Sequence, residues 1–104
     1  MKVFAIGTLI KPLTPEARRK YRPIEVAATI ELYLEGKIEQ FWFRENVGPI
    51  FLMSVQSVED AQAATQALPL TADGFVKYEC MKVGPLTPLG IVTTYGESSE
   101  SCDL

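Results

Sequence analysis

Glu25 is the side chain best placed by type and neighbours to move a proton. It stands beside an apolar helical stripe, where partial loss of water raises a carboxyl pKa toward the range useful to a general base. Its ordinary alternative is an exposed helical acid paired with Arg18 or Arg22. Gln40 offers an amide that could donate to a carbonyl oxygen as charge develops there. Arg22 and Arg44 carry planar forks suited to a carboxylate, or to plain surface ion pairs. Trp42, Tyr33 and Tyr78 could wall a small apolar cavity, although buried aromatics also simply pack.

Other chemistry is bounded by composition. The 104 residues contain no histidine, which removes Ser-His and Cys-His nucleophile pairs within one subunit and the commonest metal ligand. No metal site and no cofactor motif is read. Cys80 falls in a strand pattern and Cys102 in a polar tail, so both read as free thiols of a reducing, cytoplasmic setting. The net charge is −3, yet residues 1–22 hold six Lys/Arg against one acid. The cluster Arg18, Arg19, Lys20 and Arg22 reads as a solvated helix face or as the seat of an anion or a subunit contact. A pI near 4.9 with one short basic cluster argues against nucleic acid. No apolar run approaches the roughly 20 residues of a membrane span.

The elements that must hold these side chains follow from periodicity. Residues 2–10 alternate as a strand. Thr14-Pro15-Glu16 opens a helix with a capping hydroxyl, a proline at the first turn and an acid. That helix should run to Glu35 and stop at Gly36, with a kink or break near Tyr21-Arg22 caused by Pro23. Val26, Ala27, Ile30, Tyr33 and Leu34 form its apolar stripe, whereas Glu31 and Glu35 face water.

Residues 37–44 read as a strand, with Glu39, Phe41 and Phe43 on one face and Ile38, Gln40, Trp42 and Arg44 on the other. A turn over 45–49 joins it to a strand at 50–56 that should be buried on both sides. Ser57 caps a second helix, 59–67, ended by Leu68-Pro69-Leu70. Residues 74–83 form the last strand. The domain closes at Gly84-Pro85, so 1–85 is one unit and 86–104 an arm and a disordered tail.

The order β-α-β-β-α-β specifies an α+β, ferredoxin-like domain: a four-stranded antiparallel sheet with two helices on one face. Phe41, Phe43 and Phe51 suggest that both sheet faces are apolar. A second copy of the chain would then cover the open face, giving a homodimer or higher homo-oligomer.

From Glu25 to Pro85 the chain resembles the muconolactone isomerase-like family of dimeric α+β barrels. The resemblance is carried by Glu25, Glu35-Gly36-Lys37, Trp42, Ser57-Val58-Glu59, Leu68-Pro69-Leu70 and Pro85, in that order and spacing. It implies a dimeric barrel and a cofactor-free isomerase that shifts a double bond in a small unsaturated lactone or carbonyl acid. Three positions depart from the family's pattern: Gln40 and Gly84 stand where it carries histidines, and Phe43 where it carries an arginine. The same resemblance therefore also allows a non-catalytic, oligomeric small-ligand-binding or accessory protein. A purely structural oligomerisation module is the third reading.

Overall fold

A computed structural model describes residues 1–84. The expected arm at 86–95, the tail, Pro85 and Cys102 lie outside the described residues. Strands β1 (Lys2–Leu9), β2 (Ile38–Arg44), β3 (Gly48–Ser54) and β4 (Val76–Val83) alternate with helices α1 (Pro15–Leu34), α2 (Val58–Gln66) and the one-turn α3 (Pro69–Ala72). The strands form one antiparallel sheet in the order β2-β3-β1-β4. This is the ferredoxin-like architecture that the element order implies.

Both long helices start as their sequences dictate. The Thr14 hydroxyl accepts the Ala17 N–H at 3.1 Å, and the Ser57 hydroxyl accepts the Asp60 N–H at 3.1 Å. Each satisfies a first-turn donor that the helix itself cannot. Gly36 follows α1 at φ +83°, the left-handed conformation that favours glycine at a helix end.

The helices cover one face of the sheet. Val3 and Ala5 of β1, Phe51 and Met53 of β3, and Ile38 of β2 form the core with Ala61 and Leu68. Ala28 and Leu32 of α1 pack against it. Thr65, the one buried polar residue among the described residues, donates back to the Ala61 carbonyl at 3.0 Å.

Several local expectations are corrected. α1 runs unbroken from Pro15 to Leu34 with Pro23 inside it. Its inward face is Tyr21, Glu25, Ala28 and Leu32, not the more apolar stripe of Val26, Ala27, Ile30, Tyr33 and Leu34, all of which are exposed. Packing against the sheet, rather than the helix's own hydropathy, sets its rotation. Leu68-Pro69-Leu70 does not merely end α2. Pro69 begins α3, its fixed φ suiting a first helical position.

On β2, a bulge between Ile38 and Gln40 changes the register. Ile38 is therefore buried with the helices, while Gln40, paired with Leu52, and Trp42, paired with Ile50, turn to the open face. β3 begins at Gly48 and alternates buried and half-buried residues, so it is not buried on both sides. The open face is apolar, but through Phe4, Ile6, Trp42, Ile50, Leu52 and Met81. Phe41, Phe43 and Phe51 sit on the helix side.

Candidate functional site

α1 seats Ala28 and Leu32 on the core but does not close down on the β2–β3 edge. A cavity of about 560 Å³ opens between them. Its walls are apolar: Phe41 and Phe43 of β2, Pro49 and Phe51 of β3, Val26 and Ile30 of α1. The polar side chains reaching it lie on α1 at Arg18, Tyr21, Arg22, Glu25 and Thr29. Positions 18, 22, 25 and 29 repeat at helical spacing, so they form one strip along the cavity.

Glu25 is half-buried at the inner side of this strip. One carboxylate oxygen, Oε1, accepts the backbone N–H of Leu70 at 3.0 Å. Burial pushes its pKa above the ordinary value, and the Leu70 hydrogen bond opposes that shift only in part. It forms no ion pair among the described residues; the pairs there are Lys2–Glu39 and Lys37–Glu35. The pairing with Arg18 or Arg22 weighed from sequence is thus not made.

Tyr78, on β4, stacks under Phe51 with ring centroids 5.5 Å apart. Its hydroxyl is buried with no hydrogen-bond partner among the described residues. Burial, and then the negative charge of nearby Glu25, hold this phenol far above its usual pKa, so it stays protonated. Gly7 makes room for the ring: a Cβ there would lie 2.7 Å from Tyr78 Cε2.

The remaining candidates are placed as follows. Arg22 lines the cavity, one helical turn from Arg18. Arg44 does not line it; its guanidinium donates to the carbonyls of Gly7 at 2.7 Å and Gly48 at 3.4 Å. Tyr33 sits one step out, its ring 5.5 Å from that of Phe41. Trp42 borders the cavity, but its ring meets Phe4 edge-on at 6.2 Å on the open face of the sheet. Gln40 is exposed, pairs with Leu52 and is absent from the lining. Within one chain, then, Glu25 and Arg22 are brought together and Gln40 and Arg44 are not.

Sequence reasoning weighed Arg18 only as a partner of Glu25 and as part of the basic cluster, and it passed over Thr29 and the Leu70 N–H. Thr29 was signalled by its spacing from Glu25. The Leu70 N–H depends on where α3 docks and left no local trace. Cys80 lies beside the Thr65 hydroxyl at 4.0 Å, and burial raises its thiol pKa, which suits packing rather than nucleophilic work. Among the described residues no three His, Cys, Asp or Glu side chains converge as a metal site would need, and no helix is long and apolar enough to cross a membrane.

Sheet order, helix placement and cavity define a ferredoxin-like α+β domain with its hollow between α1 and the sheet. Among solved structures it is similar to muconolactone isomerase, with a TM-score of 0.68 and 19% identity over 84% of this chain and 92% of that one. It is also similar to 5-chloro-2-hydroxyhydroquinone dehydrochlorinase (TftG) from Burkholderia phenoliruptrix AC1100, solved with 2,5-dihydroxybenzoquinone. There the TM-score is 0.62 and the identity 15%, over 79% of this chain and 93% of that one. The fold is that of muconolactone isomerase, in line with the resemblance read between Glu25 and Pro85. No protein-family model matches the sequence, and no curated protein matches it.

Proposed function

We propose that the chain is a cofactor-free isomerase that moves a proton on a small unsaturated lactone or carbonyl acid bound under α1. The observation that carries this reading is the half-buried Glu25 carboxyl in an apolar cavity, its pKa raised and one oxygen fixed by Leu70. The second oxygen has no protein partner among the described residues and is the one that takes the proton.

Glu25 removes a proton from carbon next to a carbonyl, and the electron pair spreads into the conjugated system. The same carboxyl returns the proton to a more distant carbon, so the double bond moves and no atom is gained or lost. Apolar walls favour the neutral carboxylic acid formed midway. Arg22 anchors the ligand's carboxylate.

A direct ultraviolet assay of muconolactone isomerisation, comparing wild type with Glu25→Gln, tests this. Turnover that collapses in the variant supports it. No turnover in wild type rejects that substrate.

The second reading is a non-catalytic small-ligand-binding protein. It is favoured by the positions of Gln40 and Arg44, which leave Glu25 without a second catalytic polar group from that pair. Binding that survives Glu25→Gln, without turnover, would select it.

The open sheet face supports self-association in either case. Phe4, Ile6, Trp42, Ile50, Leu52 and Met81 lie together on a surface that no element among the described residues covers. A second copy docked there would bury them and form a barrel. Light scattering with Trp42→Glu as the disrupting change tests that.

A further inference from the structure

We propose that the cavity under α1 takes an amphiphilic carboxylic acid with an apolar body about the size of two fused rings. Its carboxylate would sit at the Arg18–Arg22 end and its far end between Ile30 and Phe41. This rests on reading the cavity as a small-molecule site and adds the charge, polarity and size of what enters it.

Charge comes from the two arginines. Arg18 and Arg22 are one helical turn apart, and both line the cavity. Neither makes an ion pair or a side-chain hydrogen bond among the described residues. A guanidinium is cationic at any working pH and presents a fork matched to a carboxylate. Two such forks at one end of a chamber walled largely by Phe41, Phe43, Phe51, Val26 and Ile30 create a place for an anion. Arg19 and Lys20, adjacent in sequence, are absent from the lining.

Polarity comes from Glu25. It stands about 4.5 Å along the helix axis from Arg22 and about 10 Å from Arg18. A ligand carboxylate is repelled by an ionised Glu25 and is drawn to the Arg18 side. The apolar body must then extend past Glu25 toward Ile30.

Size comes from the hollow itself, about 560 Å³. Arg22 and Ile30 are about 12 Å apart along the helix axis. A one-ring acid held by the Arg22 fork would stop short of Ile30 and Phe41 and leave those walls without contacts, whereas a two-ring acid reaches them.

The test is calorimetric titration of the full chain with 2-naphthoate, the neutral 2-naphthalenemethanol and the single-ring benzoate. We expect 2-naphthoate to bind at least tenfold more tightly than either. Arg18→Gln with Arg22→Gln should remove the preference for the acid while leaving the alcohol's affinity unchanged. Arg19→Gln, outside the lining, should change neither, and circular dichroism checks that each variant folds. Equal affinity for acid and alcohol in the wild type would overturn the anion assignment. Equal affinity for benzoate and naphthoate would overturn the two-ring size. Failure of all three compounds to bind would instead overturn the small-molecule reading of the cavity, and this proposal with it.

Discussion

Glu25 of α1 accepts the Leu70 N–H of α3 at 3.0 Å, across 45 residues of sequence. The α3 turn has no side-chain cap of its own: its N-cap is Leu68, and Pro69 brings no N–H. Leu70 thus carries the first backbone donor of the turn, and a carboxylate from another helix satisfies it. The candidate base is also a structural clamp between α1 and α3.

The clamp separates two variants. Glu25→Ala leaves a part-buried N–H unpaired and should cost about 1–2 kcal/mol. Glu25→Gln keeps an acceptor and should cost less than about 0.5 kcal/mol at neutral pH. Urea unfolding of both, read by near-ultraviolet circular dichroism, checks the difference. If the two lose equal stability, the hydrogen bond contributes nothing.

Glu25 also makes stability depend on pH in a defined direction. Burial raises its folded-state pKa above the ordinary 4.5, so the folded chain holds this proton more tightly than the unfolded chain does. The resulting stabilisation is complete below the unfolded value and is lost as pH rises through the folded value. Relative to Glu25→Gln, the wild type should therefore lose stability on going from pH 4 to neutrality. If Glu25 is the base, kcat/KM should rise with pH over the same window, with an apparent pKa above 4.5.

Gly48 is held at φ +145°, and a Cβ there would lie 2.2 Å from the Gly7 carbonyl oxygen. Both sides of that contact are backbone, so nothing flexible can yield. Gly48→Ala should cost 3 kcal/mol or more, roughly the upper range for strained backbone positions. Gly36→Ala, at φ +83° with open space around it, should cost only about 1 kcal/mol. Thermal unfolding of the pair measures the contrast.

The Tyr78 hydroxyl is buried without a hydrogen-bond partner among the described residues, so removing it takes away a desolvated polar group rather than a contact. Tyr78→Phe should leave stability unchanged or raise it by up to about 1 kcal/mol. A loss of that size instead would mean that the hydroxyl is satisfied by bound water. A fall in ligand affinity with stability intact would place it in the binding site.

Arg44 and Arg22 should behave in opposite ways. Arg44→Gln removes donors to the Gly7 and Gly48 carbonyls and should cost about 1–2 kcal/mol in urea unfolding. Arg22 is exposed and makes no ion pair among the described residues, so Arg22→Gln should leave stability within about 0.5 kcal/mol and act on ligand affinity alone.

Element order, helix caps and the β2–β3 pairing were legible in the sequence because each has a local cause: alternation, a hydroxyl or proline at a helix start, and breakers at a turn. So was Glu25 as an acid set beside apolar helical residues, a position the structure turns toward the cavity. Three matters were not. The β2 bulge moves Ile38 to the helix side and Gln40 and Trp42 away from it, because it depends on what the partner strand allows. The rotation of α1 is set by the sheet, which seats Ala28 and Leu32 and leaves the more apolar stripe outside. The engagement of Arg44 by two carbonyls, and of Glu25 by Leu70, follows only once β1, β3 and α3 are in place. Local chemistry sets which elements form. Long-range packing decides which of their faces meet, and with that which polar groups are left free for a ligand.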